Sequence, residues 1–176
     1  TPAKADSSVV INEVEISGGS GKSTDEFVEL YNTGSSEFDL TNWKLYKFTK
    51  LSTSTADRVL ILNFSSATIP ALGYFLIGNT NYISSSSTDS ADIIYSDASL
   101  ASDNTVLLYR ENEEVVDMVG YGNATAFEGL GPAPDPLTHS IERINFVDTD
   151  NNATDFVASS PSPRKTYTLE VLFCLL

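Results

Sequence analysis

Hydrophobic positions along this chain recur with a period of two, not 3.6. Residues 26–32 (EFVELYN) alternate apolar and polar cleanly, and residues 9–16 (VVINEVEI) alternate in part. The same rhythm continues at 43–49 (WKLYKFT), 58–64 (RVLILNF), 73–78 (GYFLIG), 105–110 (TVLLYR), 114–121 (EVVDMVGY) and 140–144 (SIERI), and 155–158 (DFVA) is a short closing candidate. Each run is rich in β-branched or aromatic residues and is bounded by Gly, Asn, Asp, Ser or Pro, which predicts strands. No window of about a dozen residues carries a helical stripe. The expected fold class is therefore all-β, a sandwich or a barrel. Residues 110–114 (RENEE) read as a hairpin loop. Residues 49–57 and 84–90 are polar and of low complexity and read as long surface loops, and 129–136 (GLGPAPDP) reads as a rigid irregular crossing.

Alternation also assigns faces. In EFVELYN, Val28 and Leu30 share one face, and Phe27, Glu29 and Tyr31 share the other. Val28 and Leu30 are expected to point to the core, with Glu29 in water between two aromatics. Glu13 and Glu15 are expected on a similarly solvated face. Lys44, Lys47 and Lys50 alternate with apolar residues and read as a lysine-protected sheet edge. Trp43 is the only tryptophan and opens a strand, so it is expected to anchor the core.

Composition narrows function. Twenty-four acidic against ten basic residues give a net charge of −14, which argues against nucleic acid and against anionic membrane surfaces. The same charge is compatible with divalent cations. A single cysteine, Cys174, excludes an internal disulfide and a cysteine metal site. No apolar run approaches the ~20 residues of a membrane span. Residues 1–8 (TPAKADSS) read as a linker, or as the stub left after a removed signal, and the domain as 9–166. Residues 167–176 form a C-terminal extension. Its LEVLF resembles the start of a viral-protease tag site with Cys174 where glutamine is expected. It reads as a tag remnant or as a native edge strand.

Catalytic motifs are weak. His139, the only histidine, lacks a Gly-x-Ser-x-Gly elbow. The stretch 18–23 (GGSGKS) fails the phosphate-loop spacing, because Ile16 stands where the first glycine belongs, and reads as a hairpin tip. Paired acids such as Glu13 with Glu15 and Glu26 with Glu29 leave open a carbohydrate- or phosphoester-acting hydrolase, which requires two carboxylates facing across a cleft. Residues 148–155 (DTDNNATD) place oxygen-bearing side chains at Asp148, Asp150, Asn152 and Asp155. That spacing is a candidate calcium site, though Ala153 and Ser159 break the EF-hand pattern. The alternative is an Asx-rich turn whose side chains bond their own backbone. Asn-x-Ser/Thr sequons begin at Asn63, Asn123 and Asn152.

The runs VVINEVEISG, DEFVELYNTGSSEFDLTNWKL, IPALGYFLIG, NTVLLYRENEEVVDMVGYG and SIERINFVDTDNNATDFVASSPSPR, taken in order over 9–164, resemble the lamin-tail domain, in its bacterial and archaeal secreted branch. The most specific part is EFVELYN followed by Phe38-Asp39-Leu40-Thr41-Asn42-Trp43. The resemblance implies an immunoglobulin-like β-sandwich with no enzymatic activity of its own. It further implies an interaction or scaffold module of an extracellular or cell-surface protein, part of a larger multidomain chain, with an unknown protein or polysaccharide as ligand. The loops at 49–57 and 79–104 are longer than in compact nuclear members, which places specificity there. No heptad run is present to support a filament rod.

Overall fold

The computed structural model describes residues 7–17, 25–49, 51–82, 90–137 and 139–165. Among the described residues, twelve strands in three sheets build an immunoglobulin-like β-sandwich. The larger sheet has six strands, β12(Phe156–Ser159), β11(Ser140–Arg143), β1(Val9–Glu15), β2(Phe27–Asn32), β7(Tyr74–Asn79) and β8(Ile93–Tyr95), in that order. The smaller has four, β10(Val115–Gly120), β9(Thr105–Tyr109), β4(Lys44–Phe48) and β5(Val59–Asn63). A two-stranded ribbon, β3(Phe38–Asp39) with β6(Thr68–Ile69), is the third sheet. All pairings are antiparallel except β7 with β8.

The core lies between the two large sheets and contains Val28, Leu30, Leu45, Ile77, Val106, Leu108 and Val119, as alternation predicts for Val28 and Leu30. β1 needs a bulge to join it. Strict period two would place Glu13 on the face of Val9 and Ile11. The register against β2 instead shifts between Ile11 and Glu13, with Asn12 as the extra residue. After that shift Val14 and Ile16 return to the core beside Val9 and Ile11.

Trp43 takes the expected place. It is 6% exposed, belongs to the core, and packs edge-on against Phe38 with ring centroids 5.1 Å apart. The preceding turn explains Asp-Leu-Thr-Asn-Trp. Asp39 Oδ1 accepts the Thr41 N–H (2.8 Å), Asn42 takes φ +66°, and the Trp43 N–H bonds the Leu40 carbonyl (2.9 Å). Asp and Asn suit these positions because their short side chains bond local backbone and tolerate the left-handed region.

Three expectations are corrected. Glu13, Glu15 and Glu29 do not stand in water. All three are buried, at 0%, 6% and 0% exposure, and a later segment covers Glu13 and Glu29. The lysine run does not guard an edge, since β4 lies inside its sheet between β9 and β5. Lys44 pairs with Glu113, and Lys47 Nζ donates to the Ser99 carbonyl. Residues 152–155, expected in a turn leading into the last strand, form one helical turn, α1(Asn152–Asp155). The predicted hairpin tip at 18–23 and the extension at 167–176 lie outside the described residues. The short strands β3, β6 and β8 had no signal in the alternation.

Replacing Trp43 by Ala empties an aromatic core site and is expected to cost ~3–5 kcal/mol. Urea unfolding midpoints check this, and a midpoint close to the parent's would show that Trp43 does not anchor the core.

Candidate functional site

Among the described residues, most of the buried charge gathers in two groups, one on each side of the six-stranded sheet. The first is a row of glutamates on the outer face. Register places Glu142 of β11 opposite Glu13 of β1, and Glu13 opposite Glu29 of β2. Like charges opposed across strands repel, so the row requires compensation. It comes from a strap formed by residues 161–165. The Ser162 N–H donates to Glu13 Oε1 (2.9 Å), the Arg164 N–H to Glu29 Oε2 (2.6 Å), and Lys165 Nζ to Glu142 Oε2 (3.2 Å). Ser140 Oγ also donates to Glu13 Oε1 (2.5 Å), and Asn12 Nδ2 to Glu29 Oε1 (2.9 Å).

Burial nevertheless dominates. It pushes Glu13 up to about 7, against the hydrogen bonds from Ser140 and Ser162 and helped by the neighbouring Glu142. It pushes Glu29 up to about 8, against the bonds from Asn12 and the Arg164 backbone and helped by Glu13. Glu26 is also buried and raised by burial, while accepting from Tyr95 OH (2.8 Å) and the Leu100 N–H (2.9 Å). Asn32 completes the set at the far end of β2. Its Nδ2 donates to the Ser36, Ile69 and Pro70 carbonyls, and its Oδ1 accepts the Gly34 N–H (2.9 Å). An added Cβ at Gly34 would come within 2.9 Å of that same Oδ1, so Asn-Thr-Gly is tightly packed at the glycine.

The second group lies between the sheets around Arg143, which is fully buried. Its Nη2 meets Asp117 Oδ2 at 2.7 Å, and its Nη1 meets Asp148 Oδ1 at 3.1 Å and Asp155 Oδ2 at 3.4 Å. Its guanidinium carbon lies 4.5 Å from the centroid of the Phe156 ring. The pair also serves the bulge in β1: Arg143 Nε donates to the Ile11 carbonyl (2.9 Å), and Asp117 Oδ2 accepts the Ile11 N–H (2.7 Å).

The four residues singled out for calcium meet different fates here. Asp148 and Asp155 come together on Arg143. Asp155 also accepts the Thr149 N–H (2.8 Å), and Asp150 is exposed. Asn152 turns inward at 0% exposure. Its Oδ1 accepts the Gly120 and Glu128 N–H groups (2.9 and 3.1 Å), and its Nδ2 donates to the Met118 carbonyl (3.0 Å). Both ends of that amide are thus committed to protein groups, and the same burial hides the Asn152 sequon in the folded domain. Among the described residues, the acidic oxygens that do converge are those of Asp117, Glu128 and Asp148, within 4.8 Å of one another. Asp117 and Glu128 were not found from sequence, because nothing local links them to the 148–155 loop. His139 is exposed.

Two measurements probe the Arg143 group. Arg143→Met leaves Asp117 buried without its counter-charge and is expected to cost ~3–5 kcal/mol in urea unfolding, and pairing it with Asp117→Leu is expected to recover only a minor part of that loss, because the Ile11 N–H and carbonyl then both lose their partners. A calcium ion recruited to 148–155 would have to draw Asp148 and Asp155 away from Arg143. Melting curves in calcium and in chelator are therefore expected to coincide. A rise in calcium that disappears in Asp150→Ala would assign an ion to the loop.

A search of curated proteins finds no match to the sequence. The family model described as Lamin Tail Domain matches residues 2–123. That span takes in β1 through β10, while β11, β12 and the strap follow it and complete the same six-stranded sheet. With well over half of its length matched and the expected sandwich in place, the chain belongs to the lamin tail domain family.

Proposed function

We propose that this domain is a non-catalytic interaction or scaffold module of an exported or cell-surface protein, working as one part of a larger chain. The observation that carries the reading is the employment of its acids. Glu13, Glu26 and Glu29, the carboxylates best suited to acid–base chemistry by their raised pKa values, are each 0% exposed and each hold a loop or the strap. A perturbed carboxyl marks a catalytic site only where substrate reaches it. The acidic composition and the Ser/Thr-rich loops of the sequence support the placement outside the cell.

One place that could take a ligand is the end of the sandwich where β7 and β8 finish. A cavity of about 320 Å³ lies there, lined by Asn79, Thr80, Asn81, Ser96 and Asp97 among others. Its amide, hydroxyl and carboxylate groups suit the hydroxyls of a polysaccharide or the polar backbone of a protein loop. One observation favours the hydrolase alternative: Glu13 and Glu29 stand directly opposite each other with raised pKa values. Their burial under the strap opposes it.

The domain is expected to bind at least one member of an immobilised panel of polysaccharides and extracellular proteins. Asn81→Ala with Asp97→Ala should weaken that binding without moving the melting temperature. The domain should turn over no polysaccharide or phosphoester substrate. Turnover that is lost in Glu29→Gln would replace this reading with the hydrolase.

A further inference from the structure

We infer that residues 161–165 are a proton-controlled latch, docked on the glutamate row of the outer sheet face when Glu13 and Glu29 carry their protons and released from it when both are ionised. Geometry carries the inference. After β12 the chain turns back across its own sheet and touches four strands in five residues. Ser162 bonds to β1, Arg164 to β2 and Lys165 to β11, while Tyr74 OH of β7 donates to the Lys165 carbonyl. The Arg164 guanidinium reaches further, to Asp92 Oδ2 (2.5 Å) and the Ser90 carbonyl (3.3 Å), just ahead of β8.

The strap is held by hydrogen bonds and ion pairs, without a large apolar anchor among its described residues, and it carries backbone strain. The Lys165 N–H bonds the Ser162 carbonyl (3.1 Å), so residues 162–165 form a β-turn. Pro163 suits its second position. The third is Arg164 at φ +59°, the left-handed region where such turns normally take glycine. A side chain held there stays only while its surroundings over-determine it, and what fixes Arg164 is its N–H bond to Glu29 together with the Asp92 pair. The described strap contributes no large apolar side chain to the sheet.

The charges facing the row decide the direction of the switch. Glu13 faces Glu142 and Glu29 across the sheet and Lys165 from the strap, and Glu29 faces Glu13 and Arg164. Of the two cations, Lys165 is exposed, and Arg164 spends its guanidinium on Asp92. The buried row thus has no buried cation of its own. Glu13 Oε2 also receives no hydrogen bond, so its ionised form is poorly solvated where it sits. Asn12 Oδ1 is likewise buried without a donor. Rotation of the Asn12 amide would let that oxygen accept the proton of a neutral Glu29.

With the strap docked, Glu13 and Glu29 titrate near 7 and 8. With it released, both meet water and return toward the ordinary 4.5. The docked state therefore binds more protons between those limits. Its stability is fully present below about 4.5, falls as pH rises, and is lost through the window from about 7 to about 8.

Tryptic cleavage after Arg164 reads the open state. The rate is measured by mass spectrometry at pH 6.5 and 9 and divided by the rate for a free peptide spanning residues 160–168, which cancels the enzyme's own pH profile. In the parent this ratio is expected to rise at least about tenfold, with Trp43 emission unchanged. In Glu13→Gln/Glu29→Gln, whose amides imitate the neutral acids, the ratio should stay flat. A flat ratio in the parent, a rise that persists in the double variant, or a rise that only accompanies a change in Trp43 emission would each overturn the latch. Carbon-13 NMR titration of the parent's glutamate carboxyls gives a check that needs no variant. Midpoints above 6 for Glu13 and Glu29 support the latch, and midpoints near 4.5 overturn it.

Discussion

The arrangement of this domain depends on one buried ion pair, Arg143 with Asp117. Removing two charges from water is costly, and a buried pair is seldom stabilising against an apolar substitute. Here the pair does what an apolar substitute could not. It supplies a donor and an acceptor to Ile11, where the bulge in β1 interrupts ladder bonding. The bulge in turn sets the face of every following residue in that strand. It returns Val14 and Ile16 to the core and sends Glu13 outward to sit between Glu142 and Glu29. The outer glutamate row, and the strap that covers it, therefore follow from a contact on the opposite side of the sheet.

A second constraint is written into the stretch that carries the resemblance to the family. In EFVELYN the polar residues Glu26, Glu29 and Asn32 are all 0% exposed. Glu26 and Asn32 fall at the two ends of the face that carries Val28 and Leu30. They tie down the 95–100 segment and the 69–70 turn respectively. Glu29 falls on the opposite face and ties down the strap. The motif is thus a strand whose apolar residues build the core while its polar residues fasten three distant segments to it. A motif of this kind resembles a catalytic signature in sequence, because both consist of acids at fixed spacing.

Alternation sufficed for nine strands, for the inward direction of Val28 and Leu30, and for Trp43 as a core residue, because each depends on neighbours within a few positions. It assigned Glu29 to the correct face and the wrong environment. Period two tells which face a residue occupies, and says nothing of whether a segment more than a hundred residues later will cover that face. The strap itself, Pro-Ser-Pro-Arg-Lys, has no alternation and reads as a polar tail. The lysines of β4 misled for a similar reason: whether a strand is an edge is decided by its pairing with β9, across some sixty residues of chain. The Asp148–Asp155 loop was legible as a cluster of oxygens. Its partner, Arg143, lies in β11, where Glu142 and Arg143 stand side by side between two isoleucines and nothing local says which of the two charges turns inward. β3, β6 and β8 are too short to show a period at all.

The two buried charge groups differ in one chemical respect that governs their behaviour. The inter-sheet group is centred on an arginine, whose guanidinium keeps its proton throughout the pH range in which proteins fold. Its electrostatics therefore change only when its carboxylates are protonated. The outer row contains no such permanent charge. Its compensation comes from backbone N–H groups and from Lys165 at the surface, and burial outweighs it, leaving Glu13 and Glu29 to titrate close to neutrality. A formal charge of −14 counts both as ionised, so the folded domain carries less negative charge near neutral pH than its composition implies. The same sheet thus has one face whose charge is fixed by an arginine and another whose charge is set by the proton concentration around it.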